Sequence, residues 1–153
     1  MIGATADRFD FHNIQGLVLN AYGHLDHSRF LFFKIVDARA AKGWLTAIAG
    51  QISSAKRRRR EDEVPGSQTN IAFTRSGMEK LGLPRETLTA FPREFQMGMA
   101  APERSRKLGD LGPNAPEGWQ FGGPNTPAID LLVKLYGNAR TLFQRSRRSH
   151  SRH

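Results

Sequence analysis

The apolar positions of this chain change period several times, and each change marks an element. In Arg29–Val36, RFLFFKIV, Leu31, Phe33 and Ile35 fall on one face, Phe30 and Phe32 on the other, with Lys34 beside them. This period-two pattern predicts a strand with apolar cover on both faces. From Asp37 the spacing lengthens to three and four, through Ala41, Trp44, Leu45, Ile48 and Ile52. Asp37 then reads as the N-cap of an amphipathic helix that ends near Ser53. Alternation returns in Asn70–Thr74, NIAFT, with Ile71 and Phe73 on one side. RSGMEKLGLP predicts a short helix stopped by Gly82 and Pro84, and RETLTAF and PREFQMGM predict two more helical pieces. In the latter, Phe95 and Met99 are four apart and are expected to pack on one face. AIDLLVKLY predicts the last strand, with Ile129, Leu131, Val133 and Leu135 as a strict apolar face, and Asn138 reads as the cap of a closing helix, ARTLFQ.

Two stretches interrupt the pattern. KRRRREDE, Lys56–Glu63, lies between the first helix and the second strand, where a surface loop is required. Ten of the 29 residues from 100 to 128 are Gly or Pro, which predicts a long loop. Trp119 and Phe121 within it argue that this loop is ordered. The element order is therefore β-α-β, an insert, then β-α. The fold class expected is α+β: an incomplete ferredoxin-like βαββα arrangement with a long Gly/Pro-rich insert, and an antiparallel sheet with helices on one face. The complete fold orders its strands 4-1-3-2. Without a fourth strand, RFLFFKIV is left with an open edge, and Phe30, Phe32, Leu132 and Tyr136 are expected to lack cover on the second face. Marginal folding, self-association or aggregation is the expected consequence. The chain divides into a mobile lead-in over 1–12 and a half-domain over 13–139. That half-domain contains a charged loop over 55–68 and the Gly/Pro-rich loop over 100–128. A basic, disordered tail follows over 140–153.

Charge sharpens this division. The 153 residues carry a net +9, but five of those charges are arginines after position 139, with no acid to offset them. The body is close to neutral apart from KRRRREDE, whose cations are partly cancelled by the three acids that follow. Nucleic-acid binding wants a basic face interleaved with aromatics. A solvated loop is the better reading here, and nucleic acid is an unlikely partner. Steep salt-dependent binding to a duplex would support the nucleic-acid view, and no retention on heparin would dispose of it. The tail reads either as a basic arm or as the product of a high-GC frame read out of register. No apolar run approaches the roughly 20 residues that span a bilayer, and the first residues do not form a secretory leader. The expectation is a cytoplasmic protein with no membrane partner.

Candidate chemistry is sparse. Cysteine is absent, which excludes disulfides, thiolate metal sites and a cysteine nucleophile. His24, Asp26 and His27 in HLDH offer two imidazoles and a carboxylate close together, but no further ligand is evident, so a solvated turn is expected. His12, His150 and His153 lie in the terminal segments. LGDLGPNAPEGWQFGG, Leu108–Gly123, matches neither phosphate-binding glycine motif. No carboxylate pair, Ser–His–Asp arrangement or nucleophile elbow emerges. No catalytic, cofactor-binding or metal-binding residue is therefore assigned.

Six stretches in order nevertheless resemble the N-terminal half of the dye-decolorising (DyP-type) haem peroxidases. They are NIQGLVLNAYGH, RFLFFKIVDARAAKGWL, NIAFTRSGMEKLGLP, FPREFQMGMA, RSRKLGDLGPNAPEGWQFGG and AIDLLVKLYG, from about Asn13 to Gly137. The resemblance implies two ferredoxin-like halves, with haem held mainly by the second, and oxidation of bulky organic donors by hydrogen peroxide. It also implies a distal acid in a G-x-x-D-G motif, with a ligating histidine and an assisting arginine downstream. G-x-x-D-G is absent. Asp110 directly follows Gly109 and does not fit, and His150 and His153 are not promoted to ligands. A truncated member is expected: without haem or turnover alone, and partnered by the missing C-terminal haem-binding half or by itself. The rival readings are an interaction module pairing through the open strand edge and a basic nucleic-acid-binding protein.

Overall fold

The structure, a computed structural model, describes residues 9–19, 22–56 and 65–138. Three strands, β1 (His27–Phe33), β2 (Ser67–Phe73) and β3 (Leu131–Gly137), form one sheet in the order β1-β3-β2. At one end of β3, Asp130 N–H donates to Phe33 O at the end of β1, and Thr74 N–H beyond β2 donates to Asp130 O. At the other end, Asn138 N–H donates to Gly66 O before β2. The start of β3 thus meets the ends of its neighbours, which makes the sheet antiparallel. Among the described residues it is the ferredoxin-like order without a fourth strand, with β1 at the end of the strand order, as the element order implies. The helices are α1 (Ala38–Ile48), α2 (Arg75–Lys80), α3 (Arg85–Thr89), α4 (Arg93–Met97) and α5 (Pro102–Leu108). No described helix is long and apolar enough to cross a membrane.

The chain falls into two compact units. One comprises Met1–Phe30, Ile48–Ile71 and Val133–His153. In it, β3 presents Val133 to one face and Lys134 and Tyr136 to the other. Tyr22 meets Tyr136 edge-on at 5.1 Å between ring centres, and Phe30 meets the same ring at 6.4 Å. The Lys134 ammonium lies 5.6 Å from the Phe30 ring centre. Tyr136 therefore has cover that the sequence pattern did not supply, whereas Phe30 remains half exposed. The outer edge of β2 is closed from within. Ser53 N–H donates to Thr69 O at 2.8 Å, and the Ser53 hydroxyl accepts from Thr69 N–H at 2.9 Å. The Gln15 amide donates to Ile71 O and accepts from Ile71 N–H, both at 2.8 Å. One side chain thus does the work of a strand residue. Gln15→Ala leaves both Ile71 groups without their partner, and a loss of about 1–3 kcal/mol in denaturant unfolding is expected.

The other unit comprises Leu31–Ala47 and Ala72–Leu132. Asp37 caps α1 as its sequence implies: its Oδ1 accepts from Arg39 N–H at 2.8 Å and Ala40 N–H at 3.0 Å. Trp44 packs on Phe33 at 5.6 Å. The Thr74 hydroxyl caps α2, accepting from Gly77 N–H at 3.1 Å, and Gly82 follows that helix at φ +80°. Pro84 and Pro92 immediately precede α3 and α4.

Several boundaries differ from the sequence pattern. The first strand runs His27–Phe33 rather than Arg29–Val36, because the Asp130 carboxylate takes over Ile35 N–H. The α-helical part of the first helix stops at Ile48, and a 3-10 turn, Ala49–Gln51, replaces its last turn. The second strand begins at Ser67, three residues early. Phe95 pairs with Phe91, ring centres 4.8 Å apart, and lines one small cavity together with Met99. Gly98 at φ +78° ends α4. The stretch 100–128 is not all loop, since it contains α5 and two 3-10 turns, Gly112–Asn114 and Pro116–Gly118. Residues 57–64 of the charged loop, the lead-in before Phe9 and the tail with the closing helix lie outside the described residues.

Candidate functional site

The second of these units carries an apolar cavity of about 760 Å³. Its floor comes from strand residues that alternate onto one face of the sheet, Phe32, Ala72 and Leu132. Its wall is the 119–123 segment, with Met99 and Pro127 at the margin. Phe121 stacks on Phe32 at 4.8 Å between ring centres, with 30° between their planes. The Trp119 indole N–H donates to Asn114 O at 3.0 Å, which fixes the ring. The turn behind it is held tightly: Thr126 Oγ1 donates to Gly123 O at 2.8 Å, and Asn125 Nδ2 to Glu117 O at 3.1 Å. A Cβ on Gly123 would lie 2.1 Å from Pro116 O, so only glycine lets the two backbones meet there. The sequence pattern argued for order from Trp119 and Phe121, and both rings are indeed held. It gave no hint that Phe32 would be Phe121's partner.

The lining contains no acid, base, imidazole or thiol, and its polar side chains are Thr74 and Gln120. Such a surface can hold apolar or aromatic groups, but it has nothing with which to move a proton at neutral pH. Phe32, Met99 and Phe121 each keep 43% or more of their surface exposed, more than isolated surface apolar residues require.

The one buried charge of the same unit is Asp130, with 0% exposure. Its Oδ2 accepts from Lys80 Nζ at 2.6 Å and from Ile35 N–H at 2.7 Å, and its Oδ1 accepts from the Ser76 hydroxyl at 3.1 Å. Burial works to raise its pKa. The Lys80 ammonium, Ile35 N–H and Ser76 hydroxyl outweigh it, so the carboxyl is held below its usual value near 3.8. With those donors placed and no solvent access, Asp130 joins the end of β1, the start of β3 and α2. It is a structural anchor, which sequence reading missed. The available signal was a lone acid at the head of an otherwise apolar strand.

The HLDH residues do not converge on a metal-like centre. His27 Nδ1 lies 2.8 Å from Asp26 Oδ1, whereas His24 Nε2 is turned to Pro65 O at 3.3 Å. Among the described residues no three His, Cys, Asp or Glu side chains group to hold a metal. Asp110 N–H donates to Ser105 O in the turn that closes α5.

Residues 13–124 match the family model described as the DyP dimeric alpha+beta barrel domain. Among solved structures, the chain is similar to the DyP-type peroxidase AnaPX from Anabaena sp. at 26% identity and a TM-score of 0.74, over 90% of this chain and 31% of that one. A fungal DyP-type peroxidase from Auricularia auricula-judae is 23% identical with a TM-score of 0.69, over 92% of this chain and 29% of that one. A dye-decolorizing peroxidase in complex with 2,6-dimethoxyphenol is 21% identical with a TM-score of 0.68, over 94% and 31% respectively. The chain thus spans about three tenths of the length of these structures. No curated protein matches it in sequence.

Proposed function

This chain belongs to the DyP family, and on that premise we propose that it is the non-haem scaffold portion of a peroxidase that oxidises bulky organic donors with hydrogen peroxide. The observation that carries the reading is the family match over residues 13–124, joined to a sheet in ferredoxin-like order. The haem would be held by a portion outside these 153 residues.

The family implies haem, and the lining of the apolar cavity does not fit it. Haem iron is held by His, Cys or Tyr, or by Met together with His. The apolar cavity has no His, Cys, Tyr or Arg in its lining, and Met99 supplies the only sulfur. A porphyrin there would have neither an axial imidazole nor a cation for its propionates. No chemical step is assigned to this chain on that account. Its contribution is positional: a rigid antiparallel sheet, pinned at Asp130, with an aromatic wall at 119–123.

The test is a haem titration of the full chain, followed by addition of peroxide and a dye. The expected result is no Soret band of ligated haem and no bleaching. A Soret band with turnover by the chain alone would overturn the assignment.

A further inference from the structure

Two thioethers in the second unit each meet a guanidinium, and the two pairs differ. In α4, Arg93 Nε donates to Met97 Sδ at 3.3 Å. The same guanidinium is fixed across to α5, its Nη2 donating to both oxygens of Glu103 at 3.0 Å. One residue past Gly98, Met99 Sδ accepts from Arg104 Nη2 at 3.8 Å. Arg104 lies on α5, and its Nε is buried with no hydrogen-bond partner. Met99 keeps 52% of its surface exposed and Met97 36%, whereas Met78 on α2 is half-buried.

A thioether sulfur is a weak acceptor, so a charged donor gains little from it. A sulfoxide carries a polar oxygen and is a much better acceptor. The sulfur lone pair is also what attacks an oxidant, and a close donor ties it up. Met97 is hindered in this way at 3.3 Å, while at 3.8 Å the Met99 sulfur is close to free. The longer gap has a second consequence. An oxygen bonded to the Met99 sulfur, set to one side of the N···S line, reaches Arg104 Nη2 at an ordinary N–H···O length of about 2.9 Å with an open angle at oxygen. At Met97 the same bond would be pinched close to a right angle, and Arg93 is tethered to Glu103.

We propose that Met99 is a peroxide-modification site: hydrogen peroxide oxidises it ahead of Met97 and Met78, and Arg104 holds the new oxygen. The sulfur lone pair attacks one peroxide oxygen, an S–O bond forms and the O–O bond breaks. The departing hydroxide takes the proton left on the transferred oxygen and leaves as water. Sulfur is oxidised by two electrons, and the peroxide is reduced by the same two. Methionine sulfoxide reductases reverse the change. A flexible apolar side chain thereby becomes a polar link between the α4–α5 turn and α5. The modification requires peroxide and no haem, so it goes beyond the peroxidase reading, and the outcome of the haem titration leaves it untouched.

The test uses the full chain in dilute hydrogen peroxide, with its peptides followed by mass spectrometry over time. Met99 is expected to gain oxygen at least about threefold faster than Met97 and about tenfold faster than Met78. A second measurement asks whether Arg104 holds the oxygen. It compares Met97→Leu with Met97→Leu plus Arg104→Leu, each before and after oxidation. Leucine keeps apolar bulk at 104 and removes the donors. Oxidation is expected to leave the urea midpoint of the first within about 0.1 M or raise it, and to lower that of the second by about 0.3 M or more. Oxidation of Met99 no faster than that of Met97 or Met78, or an equal midpoint shift with and without Arg104, would each overturn the proposal. The rate comparison needs no variant, so it decides even where Arg104→Leu fails to fold.

Discussion

Replacing Asp130 with alanine is expected to destabilise the fold by about 3 kcal/mol, lowering the melting temperature by roughly 6–12 °C. Three donors converge on this carboxylate from two parts of the fold: Ile35 N–H after β1, and Ser76 and Lys80 on α2. Breaking a buried pair by removing one partner costs about 3–5 kcal/mol, because the survivor is left without compensation. The lower end applies here, since the Lys80 side chain is 38% exposed and can recover water. Ile35 N–H cannot recover it so readily, with Ile35 itself 8% exposed. Asp130→Asn keeps the volume and one acceptor and is expected to recover part of the loss. Acid denaturation provides a second reading. The folded carboxyl is held below its value near 3.8 in the unfolded chain. Below that pH the unfolded state takes up the proton first, so stability present at neutral pH drains away as pH falls. The gap between wild type and Asp130→Ala should be full above about pH 4 and narrow on the acid side. A gap constant down to pH 2 would show that the charge is not what the fold uses.

The second large effect is expected at Gly77. A Cβ there would lie 1.9 Å from Asp130 O and 2.7 Å from its carbonyl carbon. Both are backbone atoms at the head of β3, so no flexible side chain can yield. Gly77→Ala must push α2 off the strand, straining the Thr74 N–H bond to Asp130 O. Alanine gains up to about 1 kcal/mol over glycine in a helix. Overpacking costs about 1–3 kcal/mol, occasionally more, and a backbone clash this close belongs at the upper end. A net loss of about 2 kcal/mol or more by chemical denaturation is expected. Gly43, inside α1, provides the control: nothing lies within 4 Å of its would-be Cβ. Gly43→Ala should therefore stabilise by roughly 0.5–1 kcal/mol. Opposite signs at two helical glycines would separate propensity from packing.

The parts of the fold legible in sequence were those set by local period. The strict alternation of Leu131, Val133 and Leu135 fixed which face of β3 turns inward, and Leu131 and Val133 are indeed buried. Asp37 was legible as a cap because its partners, Arg39 and Ala40, are its near neighbours. What was missed depends on distant partners or on a single backbone angle. The end of β1 is decided by a carboxylate 95 residues away. The cover on Tyr136 comes from Tyr22, outside any periodic segment. The sealing of β2 uses an amide side chain, Gln15, 56 residues from its target. Gly98 ended α4 through one left-handed φ. In α5, PERSRKL has a favourable Pro at its start but almost no apolar stripe, so composition hid it. The apolar cavity was foreshadowed only through its rings, because its shape comes from a turn folding over the sheet.

The Gln15 and Ser53 closure of β2 also limits how far association through the sheet can proceed. A ribbon open along both rims can recruit neighbours indefinitely, which is the geometry of fibrils. The chain's own amide and hydroxyl take up the outward main-chain groups of Ile71 and Thr69, so a neighbour finds none of them free on the β2 rim. Loosening that small clasp would be what opens the rim to a strand from outside.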